Sequence, residues 1–404
     1  MSLDDTLDRL ARLCVGFGLQ IGRGQELLIT ADIGAADLVR RIAREAYGAG
    51  ASNVQVFFAD DAITLARFTH GSEDAIDTAP GWLFQAMAGA MRKGAARLAI
   101  AGGTPGLLAQ QDPGKVARAN AAQSAAAKPF MEVVTSGLTN WNIVPFVTEG
   151  WAAQVYPDLP VAEAVERLWG HVFKALRLDH DDPVAAWRGV FDRLARRREY
   201  LTERAFSALH FEGGGTDLTL GLAKGHVWAG GGLTLADGSG YAPNLPTEEV
   251  FTMPDRNRAE GRAVFTKPAV INGTIVEGLV VDFAGGKAVR ISADKGETMA
   301  QTHFTSDEGA SRLGEVALVP ESSPIARSNV LYFNTLFDEN AACHIAFGNS
   351  YSMNLAEGAD RGKAGANEST IHMDCMIGGP DLAVTGIAED GSRHPIMEKG
   401  EFVI

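Results

Sequence analysis

Four short stretches of this sequence gather the residue types that metal-assisted hydrolysis needs: PTEEVFT (246–252), DEGASRLGEVALV (307–319), FDENAACHIAFGNSY (337–351) and STIHMDCMIGG (369–379). Read as a strand, the last segment turns His372, Asp374 and Met376 to one face and Ile371, Met373 and Cys375 to the other. An imidazole and a carboxylate then look into one cavity, a ligand mixture that borderline divalent ions such as zinc and cobalt favour. Taken on spacing alone, a surface His–Asp hydrogen bond is the simpler account. In the third segment His344 sits in a short apolar run, with Glu339 before it and Tyr351 after it. A lone histidine in such a run is more often a satisfied core residue than a ligand. Glu315 interrupts the otherwise apolar LGEVALV. A carboxylate buried there must be protonated, paired or metal-bound, because an unpaired buried charge is costly. That makes Glu315 the strongest local hint of chemistry. Glu248 and Glu249, on an extended segment, point opposite ways, so only one of them reaches a given metal. Together the four segments offer enough carboxylates and imidazoles for two neighbouring divalent ions, a known device for hydrolysis. Spacing in sequence leaves their convergence open.

These segments need a scaffold, and the chain's texture predicts one in two parts. Leu3 to Phe17 has helical apolar spacing, with Leu7, Leu10, Leu13 and Cys14 on one side. GQELLITAD, NVQVFFAD and LAIAGG read as strands, and Ala35 to Tyr47 reads as an amphipathic helix closed by Gly48 and Gly50. Strand, helix and strand at this pitch predict an α/β domain with a parallel sheet over residues 1–205. Its last part, from residue 160, reads as a helical hairpin broken at LDHDDP, with Pro183 in a first helical turn. From Leu209 the pattern changes to apolar–polar alternation between glycine-rich turns, as in LHFEGGGTDLTLGL, GRAVFTKPAVING and TIVEGLVVDFAGGKAVRISAD. Residues 206–404 are therefore expected to form an α+β, β-rich domain that carries the metal site.

Bulk properties narrow the function classes. The 404 residues are 46% hydrophobic and 21% charged, an ordinary globular balance. A formal net charge of −14 argues against nucleic acid, whose phosphates need a basic surface. Three cysteines, Cys14, Cys343 and Cys375, show no CxxC spacing and cannot all pair. A reducing, cytoplasmic setting is expected, with neither a signal peptide nor a membrane span. The glycine-rich AGGTPG (101–106) follows a candidate strand, which raises a nucleotide-dependent enzyme as a rival. It lacks the Walker lysine and the GxGxxG spacing, so a turn is the plainer reading.

The four segments, in this order and at these separations, resemble blocks of the aminopeptidase T family of thermophilic metalloaminopeptidases. GQELLI, REAYGAGASNV and WAAQVYP resemble weaker family features, so the likeness runs over nearly the whole chain. The resemblance implies metal ligands at Glu249, Glu315, Glu339, His344, His372 and Asp374, and a catalytic tyrosine at Tyr351. It leaves Glu315 as bridging ligand, general base or both. It also implies two divalent ions per subunit (zinc, cobalt or manganese), short peptide substrates with a free N-terminus, and a homodimer enclosing a restricted cavity. Cys375 departs from the pattern, standing where the family has a large apolar, often aromatic residue. The alternative of a catalytically silent, metal-containing peptide-binding protein would lack a ligand or the tyrosine, and all seven residues are present.

Overall fold

The computed structural model describes residues 2–271 and 274–404. They fall into two compact units, Met1–Trp187 with Gly232–Pro246, and Arg188–Gly231 with Thr247–Ile404. Asn272 and Gly273, at the end of the expected strand PAVING, lie outside the described residues.

In the first unit, strands β1 (Glu26–Asp32), β2 (Asn53–Ala59), β3 (Ala96–Ala101) and β4 (Trp141–Pro145) form a parallel sheet in the order β2-β1-β3-β4. Leu27, Leu28 and Ile29 are all buried, the near-continuous apolar run of a strand covered on both faces. Helices α1 (Leu3–Leu13) and α2 (Ala36–Ala49) pack together. Helices α3 (Gly81–Arg92) and α4 (Pro113–Thr135) contribute Phe84, Met87, Met91, Phe130 and Val133 to a core built against Leu28. The first helix is shorter than its apolar spacing predicts. It leaves α geometry at Leu13 and continues as a π-helical turn over Cys14–Leu19, where two glycines weaken the regular ladder. The second helix runs past Gly48 and stops at Gly50, whose φ of +99° only glycine adopts cheaply. AGGTPG is a loop following β3. Helices α5 (Val161–Ala175) and α6 (Pro183–Arg204) occupy the segments expected to be helical, and α6 starts on Pro183.

The second unit is β-rich and antiparallel. Its larger sheet joins β5 (Ala208–Gly213), β6 (Thr216–Leu222), β8 (Pro254–Val264), β9 (Val280–Ala284), β10 (Lys287–Ser292), β14 (Ala383–Ile387), β15 (Arg393–Glu398) and β16 (Glu401–Phe402), in the order β10-β9-β8-β6-β5-β14-β15-β16. The smaller sheet joins β7 (Val250–Thr252), β11 (Leu313–Leu318), β12 (His344–Gly348) and β13 (His372–Met376), in the order β13-β12-β11-β7. The four segments singled out above supply its four strands. In β12, Phe347 turns away from His344 and stacks on Phe304 (ring centroids 4.1 Å apart) and on Phe283 of β9 (5.7 Å). Such ring pairs add about 0.5–1.5 kcal/mol each beyond area burial, which anchors this face and leaves the opposite one for chemistry.

Candidate metal centre

Strand register decides which side chains share that opposite face. Ala317 lies across from His344 and from Phe251, Ala346 across from Glu315 and Asp374, and Gly348 across from His372. Alternation therefore places Glu315, His344, His372 and Asp374 together. Glu249 joins them because it shares parity with Phe251, whereas Glu248 shares parity with Val250 and Thr252. The choice between the two adjacent glutamates thus rests on pairing with β11.

The groups converge closely. His344 Nε2 lies 3.6 Å from Glu249 Oε2, 3.7 Å from Glu315 Oε1 and 4.0 Å from Asp374 Oδ1. His372 Nε2 lies 3.7 Å from Glu315 Oε2 and 3.4 Å from Asp374 Oδ1. Glu315 thus offers one carboxylate oxygen to each imidazole. Ligand atoms of Glu249, Glu315 and His344 lie within 4.8 Å of one another, and all three residues are buried. Glu249 Oε2, Glu315 Oε2 and Asp374 Oδ1 are buried and accept no hydrogen bond from the described residues. Buried carboxylate oxygens without donors are expensive, and a bound cation is what offsets that cost. The donor set fits a divalent metal.

The imidazoles are oriented for this work by the main chain. His344 Nδ1 lies 3.2 Å from the Ala342 carbonyl and His372 Nδ1 lies 2.7 Å from the Asn349 carbonyl. A carbonyl only accepts, so each Nδ1 carries the proton and each Nε2 faces the carboxylates, as in metal-ligating histidines.

Electrostatics follow from burial among like charges. Burial, opposed by His344 and helped by the Glu315 and Asp374 charges, pushes the Glu249 carboxyl up to about 8. Glu339, at the end of the short helix Thr335–Asp338, is raised well above the carboxylate range by burial and then by the Glu249 and Asp374 charges. Burial works against charge on His344, yet its contact with Glu315 and the charges of Asp374 and Glu249 prevail and raise it to about 10. His372 rises to about 9, where the contact with Asp374 outweighs burial. For Asp374, burial is outweighed by His372 and His344, and its carboxyl is held low. Tyr351 is pushed up by burial and by the Glu315 and Asp374 charges, so its hydroxyl stays protonated. Its ring centroid lies 4.7 Å from that of His372. Glu339 makes no ion pair with either histidine among the described residues, and is tied to the cluster through these charges.

The sequence profile described as "Thermophilic metalloprotease (M29)" matches residues 3–402. The chain belongs to this family. Aminopeptidase T of Thermus thermophilus is 48% identical over 402 residues, covering 98% of each chain. Aminopeptidase 2 of Geobacillus stearothermophilus is 41% identical over 401 residues, covering 98% of this chain and 97% of the other. The solved structure titled wild-type AmpT from Thermus thermophilus superposes with a TM-score of 0.95 at 46% identity, covering 100% of both chains. The parallel-sheet region and the antiparallel β-rich region are accordingly the architecture of a metalloaminopeptidase of this M29 family.

Several groups that shape this M29 site escaped the sequence reading. Asn340 is fully buried, and its side-chain carbonyl accepts from the Glu248 N–H at 2.6 Å, fixing the peptide next to Glu249. Asp307 accepts from the Thr370 N–H at 2.8 Å and from the Ser369 hydroxyl at 2.9 Å, holding the entry to β13. Asn367 donates to the carbonyls of Gly309 (2.8 Å) and Gly348 (2.7 Å). Each is a polar residue in a loop, which in sequence looks like any other turn residue. Gly314 is needed for a steric reason: a Cβ there would stand 2.3 Å from the Gly348 carbonyl oxygen and 2.5 Å from that of Asn349. Gly314→Ala is expected to cost about 1–3 kcal/mol of stability by overpacking. It also displaces the carbonyl that orients His372, so metal affinity should fall along with the melting temperature. Thermal melts with and without added metal check this, and unchanged affinity would remove the Asn349 carbonyl from the argument.

Proposed function

We propose that this metalloaminopeptidase releases single N-terminal residues from short, unblocked peptides using two divalent ions per chain. One ion would be held by Glu249, Glu315 and His344, and the other by Glu315, His372 and Asp374, with Glu339 adding a carboxylate beside Glu249. The observation that carries this reading is the split geometry of Glu315, whose two oxygens each face a different imidazole at 3.7 Å. When bound, the ions polarise the scissile carbonyl and bring the pKa of the attacking water towards neutrality. The chain's own groups supply the rest. Glu315 takes the proton that water gives up as it attacks the carbonyl carbon, and returns it to the amine as the C–N bond breaks. Tyr351, kept protonated, donates a hydrogen bond to the tetrahedral oxyanion. Its hydroxyl makes no hydrogen bond among the described residues, so it is available to substrate. A carboxylate of the cluster, or the second ion, would hold the substrate's free α-amine and so restrict cleavage to the chain end.

Zinc, cobalt and manganese all suit the oxygen and nitrogen donors. A homodimer, a cytoplasmic location and a catalytic role confined to residues 206–404 complete the proposal. Three buried free cysteines accord with a reducing compartment. No helix among the described residues is long and apolar enough to cross a membrane. Metal analysis of reconstituted protein, alongside cleavage of a free and an N-acetylated form of one tetrapeptide, tests the core of the reading. Two ions per chain and release from the free peptide alone are expected. One ion per chain, or equal cleavage of both peptides, would overturn it.

A further inference from the structure

Tyr351 sits on a loop that must hold its hydroxyl still. The loop is anchored on one side, where the Ser350 N–H and hydroxyl both donate to the Asn367 carbonyl at 3.1 Å and 2.8 Å. It is anchored again at Asn354, which donates to the Phe251 carbonyl at 3.2 Å. Between these points Met353 is 48% exposed, and Tyr351, 42% exposed, has its ring packed on that of His372. A further restraint on the residues flanking Tyr351 is Arg361. Its Nη1 donates to the Ser352 hydroxyl at 2.8 Å, and its Nη2 donates to the Ser350 carbonyl at 3.0 Å and to the Ser350 hydroxyl at 3.4 Å. One guanidinium thus grips the residues on either side of Tyr351. Among the described residues Arg361 forms no ion pair with a carboxylate, so its fork is committed to this loop.

The base of the grip is itself firm. Arg361 opens the one-turn helix Arg361–Ala364, which Asp360 caps by accepting from the Lys363 N–H at 3.1 Å. The Arg361 carbonyl accepts from the Ala366 N–H at 3.0 Å. Two donors on separate nitrogens of a planar group restrain rotation as well as position, which a lysine ammonium does not reproduce.

We propose that Arg361 is a positioning residue for catalysis, holding Tyr351 at the oxyanion through Ser350 and Ser352; this rests on the role given to Tyr351 above. Loosening a hydrogen-bond donor by about 1 Å costs up to about a hundredfold in rate, and the loss appears in kcat because the contact matters in the transition state. Arg361→Ala should lower kcat by about 10- to 100-fold, with KM within about threefold and bound metal unchanged. Arg361→Lys should recover part of that loss. The deciding measurement is the cycle with Tyr351→Phe, which by itself should lower kcat by about 10²–10³-fold. With phenylalanine in place the hydroxyl is gone, so adding Arg361→Ala should change kcat by less than about twofold.

If Arg361→Ala has its full effect on top of Tyr351→Phe, or none in the presence of the tyrosine, the positioning role is overturned and that of Tyr351 stands. If Tyr351→Phe itself turns over normally, the role of Tyr351 falls and that of Arg361 falls with it. Should the alanine variant fail to fold, Ser352→Ala removes only the Nη1 contact. It is read in the same cycle, with a loss of several-fold in kcat expected only when Tyr351 is present.

Discussion

Glu315→Gln is expected to lower kcat/KM on an unblocked peptide by at least about a thousandfold, while the protein stays folded. The substitution keeps the volume of a side chain that is only 5% exposed within a fully buried strand, so packing survives. What changes is the charge and the proton chemistry. An amide neither accepts the proton of an attacking water nor presents anionic oxygens to both lobes of the site. Turnover assays on metal-saturated protein, with bound metal measured in parallel, separate the two consequences. Loss of turnover with metal retained makes Glu315 the base, whereas loss of both assigns it to holding the ions. Near-normal turnover would take it out of the mechanism.

The second large effect is the dependence of metal binding on pH. Before metal binds, Glu249 is raised to about 8, His344 to about 10 and His372 to about 9. All three carry protons near neutrality, and a metal must displace them. The apparent dissociation constant should therefore fall by about tenfold per pH unit for each proton released, as pH climbs from about 6 towards 9.

The stability of metal-free protein runs the other way. A folded pKa raised above its unfolded value gives stability that is complete below the unfolded pKa and is lost as pH rises through the folded one. For Glu249 that window runs from about 4.5 to about 8, and for His344 from about 6.5 to about 10. Metal-free protein should thus melt progressively lower from mildly acid to alkaline pH. Metal-saturated protein gains RT ln(1 + [M]/Kd), about 2.7 kcal/mol at a hundredfold excess over Kd, and the gain grows with pH. Thermal melts of chelated and reloaded protein at several pH values should show a widening gap, with peptide release present only in the reloaded samples. A gap that narrows with rising pH, or activity that survives complete removal of metal, would contradict the site as drawn.

How much of this was legible in the sequence varies with the physics involved. Alternation within one strand is local, so the shared face of His372 and Asp374 could be read from STIHMDCMIGG alone. The oddness of Glu315 in LGEVALV is local too, because burial cost depends on the strand's own apolar character. Glu249 differs. Choosing it over Glu248 requires the register of β7 on β11, and residue spacing does not specify register between segments more than sixty residues apart. Parallel strands and amphipathic helices of the first unit follow from periodicity. Periodicity carries no information on how a helix ends, which is why the π-helical turn at Cys14–Leu19 was not anticipated. Asn340, Asp307 and Arg361 act through loops folded back on the site, where no sequence period exists.

The two carbonyls that orient His344 and His372 belong to Ala342 and Asn349. Neither contact depends on what side chain residue 342 or 349 carries. Such supports leave no side-chain signature at residue 342 or 349, so comparing side chains among relatives will not reveal them. They change only when the path of the chain changes, through a substitution such as Gly314→Ala or an insertion next to β12. Retuning the basicity of these imidazoles therefore means moving a backbone carbonyl rather than exchanging a polar side chain.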